Sequence, residues 1–199
     1  MFLISQRTLS KRPASTSSSD ESSELTAKNI EFFPLSDRLQ GNGSMHEALR
    51  MKLEQAYHIL NMEGLAEDTI RGHVTARSDD NRVYIKPWSM GFEEVTARDL
   101  LSADLEGNLV EGEGRLHAEL AIHLGIYRKR EDVFSVVHIH PLYSVMLSSL
   151  FDGRLKIIGQ NGMHFGEEIP FYESEDLIRS EQQGAELAQV MGDQLFVLM

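Results

Sequence analysis

Cysteine is absent from the 199 residues, which excludes disulfide scaffolds, thiolate metal clusters and cysteine nucleophiles. Any site for a borderline or soft metal has to be built from imidazole and carboxylate, and eight histidines are present to supply the first. Basic residues are scarce: 19 Lys and Arg stand against 31 Asp and Glu, a net charge of −12. That is the wrong sign for a chain that grips phosphate backbones, because such affinity comes from Lys and Arg displacing counterions. No nucleic acid partner is expected. Long apolar runs are missing too. The longest, Leu195 to Met199, is five residues, against the roughly 20 that a membrane-spanning helix needs, so no membrane partner is expected either. What is there, 41% hydrophobic and 25% charged residues, is the composition of one globular domain at roughly 100–200 residues per domain.

The first 29 residues hold Ser10, Ser15, Ser17, Ser18, Ser19, Ser22 and Ser23 and few large apolar side chains after Leu9. Such a stretch cannot bury enough surface to offset its ordering entropy and reads as a disordered arm. Arg7, Lys11 and Arg12 come before any acid, a composition shared by mitochondrial transit peptides and by plain tails. The expected location is the cytoplasm, with the mitochondrion as the alternative. Phe32 to Gly43 is a connector, and the folded body is expected over 30–199. Ser44 and Glu47 form a capping-box pattern ahead of Leu49, Leu53, Ala56 and Leu60, with Gly64 as a stop. Ile70 to Arg77 and Arg82 to Lys86 read as strands joined by Ser78 to Asn81, with Asn81 at an unusual φ. Thr96 to Ala103 reads as a short helix, Leu105 to Leu109 as strand, turn and strand, and Leu116 to Lys129 as a long amphipathic helix.

Val133 to His140 is the strongest strand signal and should lie centrally. Leu142 to Phe151 follows as a helix, Arg154 to Gly159 and Glu168 to Phe171 as strands, Ser180 to Met191 as a helix stopped by Gly192, and Gln194 to Met199 as a buried strand. Helices and strands interleave, so a mixed α/β layer architecture is favoured.

Within that frame His138 and His140 are two residues apart on a strand, so both imidazoles leave one face while Val137 and Ile139 point into the core behind them. A divalent metal needs convergent neutral imidazoles at about 2.0–2.1 Å, and one rigid strand face supplies two of them. The competing reading is one surface histidine beside one hydrogen-bonded core histidine. Glu119, on the preceding helix, is a candidate base if the chain brings it back over the strand end, and a solvated helix residue if it does not. His117 beside it reads as an N-terminal helix residue or a substrate contact.

Several strings together carry a resemblance. Gly72-His73-Val74-Thr75-Ala76-Arg77, Val95-Thr96-Ala97-Arg98-Asp99-Leu100, Asp104-Leu105-Glu106-Gly107, His117-Ala118-Glu119, Ile126-Tyr127-Arg128-Lys129-Arg130 and Val137-His138-Ile139-His140-Pro141 occur in an order and spacing that resembles the class II aldolase/adducin family. The resemblance spans about 45–199. It implies a three-layer α/β/α sandwich around a mostly antiparallel sheet. It further implies His138 and His140 as ligands of one divalent ion, zinc first and manganese or iron as alternatives, with Glu119 as catalytic acid/base. The activity it implies is a carbon–carbon lyase on a small-molecule substrate, assembled as a homotetramer.

Departures from the pattern sharpen that reading. Family aldolases that act on phosphorylated sugars hold phosphate with small polar loops, where this chain has Gly72-His73-Val74-Thr75, Lys86-Pro87-Trp88-Ser89 and His117-Ala118-Glu119. His73, Trp88 and His117 would give a flatter, ring-lined pocket, similar to that of members that decarboxylate aromatic acids, with Tyr143 or His117 near the leaving group. Trp88 also reads as ordinary core. The family's third histidine ligand falls beyond Met199, so by this pattern the chain either is a domain truncated at its C-terminus, the favoured reading, or recruits another group such as His164. The alternatives to a lyase are a non-enzymatic adducin-like binding domain, an inactive fragment of the lyase, or an epimerase or oxygenase on the same scaffold.

Overall fold

Val83, Tyr84 and Ile85 are all fully buried, yet Val83 and Ile85 belong to one apolar cluster and Tyr84 to another. Successive strand residues face opposite sides of a sheet, so a strand buried at every position needs a covering layer on each side. The computed structural model, which describes residues 2–7, 45–66, 70–150, 160, 169–174 and 176–199, shows both layers. The elements run β1 (Phe2–Arg7), α1 (Met45–Met62), β2 (His73–Arg77), β3 (Val83–Ile85), β4 (Leu101–Ala103), β5 (Leu109–Glu111), α2 (Leu120–Lys129), β6 (Val133–Ile139), α3 (Leu142–Ser148), α4 (Glu181–Met191) and β7 (Phe196–Leu198). A single 3-10 turn, Phe92–Glu94, precedes β4.

The strands form one sheet in the order β5-β4-β3-β2-β6-β1-β7, and every strand pairing in it is antiparallel. On one face α1 packs Leu53 and Tyr57 against Val74, Ala76, Tyr84, Phe92 and Ile139. On the other, α2 and α4 cover Val83, Ile85, Leu101, Val133 and Val136 with Ile122, Ile126, Leu187 and Met191. The result is an α/β sandwich with a mostly antiparallel central sheet flanked by helices, as the sequence led us to expect. Tyr57 ties α1 to the sheet, because its hydroxyl donates to Val74 O at 2.5 Å and accepts Val74 N–H at 3.0 Å and Lys86 N–H at 3.2 Å. β6 is an interior strand between β2 and β1.

Several local readings hold. Asn81 has φ 62° in the turn between β2 and β3. Ser180 caps α4 by accepting Gln183 N–H, and Gly192 ends it with φ 55°. Others are corrected. Thr96 to Ala103 is a turn followed by β4, because Asp99 Oδ2 accepts both the N–H and the hydroxyl of Thr96, a side-chain-closed turn that competes with helix. Leu105 lies inside the β4–β5 turn, where Gly107 has φ 88°, instead of forming a strand. The long amphipathic helix starts at Leu120, not Leu116, and the residues before it form a turn that carries His117 and Glu119.

Phe2–Arg7, read from sequence as part of the arm, pairs with both β6 and β7. Three consecutive apolar residues are too short a run to announce a strand, and the pairing is decided by the open backbone of two neighbours distant in sequence. The rest of the arm, the connector 32–43, Ser44 of the capping box, the strand at 154–159, Glu168 and His164 lie outside the described residues.

Candidate functional site

The register of β2 on β6 sets His73 opposite His138, so the two side chains rise from the same face, toward α2. Their rings stack with centroids 4.6 Å apart and planes 12° from parallel. Val137 and Ile139 pack on the opposite face in the α1 cluster, as the strand alternation requires. His140 turns its ring edge to His138, and the two Nε2 atoms are 2.9 Å apart. From the covering layer, the turn that enters α2 adds His117, whose ring centroid is 4.1 Å from that of His73, and Glu119. One helical turn on, α2 adds His123, with Nε2 2.6 Å from His73 Nδ1.

His73, His117, His123, Glu119 and His138 are all buried. Burial, then the neighbouring imidazoles, hold His73 and His138 well below the ordinary histidine value and bring His123 down to about 3. Burial and then the Lys86 ammonium bring His117 to about 4. All four rings are therefore neutral near pH 7, the form that keeps a nitrogen lone pair for a metal. Ligand atoms of His73, His117 and Glu119 lie within 4.8 Å of one another, a potential metal-binding triad. His73 Nε2 and His138 Nδ1 have no hydrogen-bond partner among the described residues. Buried polar atoms left this way point to a missing occupant. The facing imidazoles of His138 and His140 and the Glu119 carboxylate are donor types that suit a borderline divalent cation, with the His73 and His117 rings beside them.

The structure thus brings together His73, His117, Glu119, His138 and His140. Trp88 and Tyr143 stand apart from their contacts. Trp88 is 40% exposed with the Arg115 guanidinium 5.2 Å over its ring, so it is not core. Tyr143 is 82% exposed on α3. Sequence reasoning missed His123, Thr75, Tyr127 and the fully buried Lys86, whose Nζ donates to Ile70 O at 2.9 Å. A signal for two of them was present: Glu119, His123 and Tyr127 recur every four residues, a polar stripe along an otherwise apolar helix.

A sequence profile of the class II aldolase and adducin N-terminal domain matches residues 51–199. The chain belongs to the class II aldolase/adducin family. Among relatives in that family it is similar to a 3,4-dihydroxyphthalate decarboxylase of Arthrobacter keyseri, 32% identical over 166 residues, covering 77% of this chain and 66% of that one. It is also similar to an L-fuculose phosphate aldolase of Methanococcus maripaludis, 37% identical over 87 residues, covering 44% of this chain and 46% of that one. Among solved structures, an aldolase II superfamily protein from Pseudomonas syringae superposes with a TM-score of 0.71 at 26% identity, over 79% of this chain and 64% of that one. The chain thus spans less than two thirds of the length of these relatives. Fold and donor set are together consistent with a metal-dependent lyase. No helix among the described residues is long and apolar enough to cross a membrane.

Proposed function

We propose that this chain carries the active centre of a divalent-metal-dependent carbon–carbon lyase, acting by decarboxylation or aldol cleavage on a small acid, aromatic in preference to a phosphorylated sugar. The observation that carries the reading is the facing His138 and His140 Nε2 pair, 2.9 Å apart, beside the buried cluster of His73, His117 and Glu119. His138, His140 and Glu119 would hold the ion, zinc first among the candidates. When bound, it supplies Lewis acidity that draws electron density from a substrate oxygen. Glu119 moves the proton at the reacting carbon, from a position where water has little access. His73 and His117 contact the substrate, and the buried Lys86 ammonium adds positive potential that favours an anionic one.

Support for the acid over the sugar phosphate comes from the loops. Imidazoles at His73 and His117 and the Lys86-Pro87-Trp88 sequence occupy the places where small polar residues would grip phosphate, and the decarboxylase relative aligns over most of the chain. Trp88 and Tyr143, both exposed, are proposed to meet the substrate from the rim, or across a subunit boundary in a tetramer. The adducin-like alternative, binding without catalysis, gives no reason for buried, converging imidazoles.

Elemental analysis of the protein purified without added metal tests the reading. About one divalent ion per chain, lost in the His138→Ala/His140→Ala variant, is expected. An ion-free wild-type chain that also fails to take up zinc would leave the binding role as the better account.

A further inference from the structure

Buried side chains behind His73 are joined end to end. Tyr127 Oη lies 2.7 Å from Thr75 Oγ1, Thr75 Oγ1 lies 2.7 Å from His123 Nδ1, and His123 Nε2 lies 2.6 Å from His73 Nδ1. The row ends at His73 Nε2, which is buried and has no partner among the described residues. Each link holds one hydrogen, and the Thr75 hydroxyl, which has no acceptor among the described residues besides these two partners, must donate within the row, so neutral groups allow two orderings. In the first, Tyr127 donates to Thr75, Thr75 to His123 and His123 to His73, which leaves a hydrogen on His73 Nε2. In the second every link is reversed, His73 Nε2 bears a lone pair, and the Tyr127 hydroxyl must find another acceptor.

The surroundings of Tyr127 decide between them. Among the described residues its hydroxyl has no acceptor besides Thr75. The second ordering therefore strands a buried hydroxyl hydrogen at one end and an unfilled lone pair at the other. The first strands nothing at the Tyr127 end and directs one N–H into the site. His117 follows the same pattern, since Glu119 N–H donates to its Nδ1 at 3.2 Å, which leaves the hydrogen of the neutral ring on Nε2.

We propose that Tyr127, Thr75 and His123 are positioning residues that hold His73 in the form with hydrogen on Nε2, so that His73 donates to an anionic oxygen of the substrate and does not ligate the ion. The proposal rests on the reading that His138, His140 and Glu119 hold that ion, and it divides the cluster by role. Lone pairs belong to those three groups, and ring N–H donors, from His73 and His117, form the wall that meets a carboxylate or enolate oxygen. A preorganised pair of donors of this kind stabilises charge where it develops without having to reorient.

The test is the long-range 1H–15N correlation spectrum of the 199-residue chain labelled at histidine, with His73→Asn for assignment. The metal-free protein is expected to show His73 protonated at Nε2. Thr75→Val is expected to shift the His73 nitrogens toward a mixture of both forms, and Thr75→Ser to restore the wild-type pattern. Tyr127→Phe should shift them in the same direction by less, and keeps the test alive if Thr75→Val does not fold. Zinc addition is expected to move the His138 and His140 Nε2 resonances and leave His73 protonated. A wild-type His73 with its hydrogen on Nδ1, or a His73 Nε2 that loses its hydrogen to zinc, overturns the proposal. Failure to bind zinc at all sinks the metal reading alone, because the tautomer of the metal-free chain is read independently.

Discussion

A neutral histidine deep in a protein is a group that refuses a proton it would accept in water, and this chain holds several of them together. His117 and His123 keep values of about 4 and about 3 against an ordinary 6.5, and His73 and His138 lie well below it too. Below pH 6.5 the unfolded chain takes up protons that the folded chain rejects, so the folded state is progressively disfavoured as pH falls from 6.5 toward about 4. Urea titrations of the metal-free protein across that window are expected to show stability dropping. The slope is about 1.4 kcal/mol per pH unit for each histidine fully protonated only when unfolded. His123→Leu should reduce the slope by about one histidine. A flat profile would mean that the rings are wetter than the structure shows. Asp80 and Asp104 contribute little there, since both titrate below their ordinary 3.8.

At the scale of elements, α2 holds much of the site, and its own position depends on an absence of side chains. A Cβ on Gly125 would run into the backbone of Gly184 on α4, and one on Gly184 into Ala121 O, so the two helices touch backbone to backbone. In an exposed helix Gly→Ala stabilises by up to about 1 kcal/mol. Here the sign should reverse: Gly125→Ala is expected to cost about 1–3 kcal/mol in a thermal or urea melt, because α4 must move off. Arg77 anchors the far end of α2, its guanidinium bonding the carbonyls of Tyr127, Arg130 and Glu131. Legibility in the sequence followed the same division. α4, with its Ser180 cap and Gly192 stop, and β6, with its valine run, were readable because their signals are local. β1 and β4 were not, because so short a stretch, Phe2-Leu3-Ile4 in one and Leu101-Ser102-Ala103 in the other, becomes a strand only when neighbouring strands offer it a ladder.

Across the whole molecule, the site lies where β2, β6 and the entry to α2 meet, on the α2 face of a sheet with separate apolar cores on its two sides. His138, His140 and Glu119 could be singled out from spacing and resemblance, since His-x-His on a strand declares its own geometry. The row behind His73 could not, because Thr75 and Tyr127 become neighbours only when α2 lies down on the sheet. That layered burial also governs time. His73 and His138 have no exposed surface, whereas the His46 side chain is 40% exposed. A dissolved imidazole-acylating reagent should modify His46 at a rate proportional to its concentration. His73 and His138 should react only during brief openings between α2 and the sheet, at a rate that levels off as reagent is raised. The plateau is then a clock for how often those two rings are unsealed.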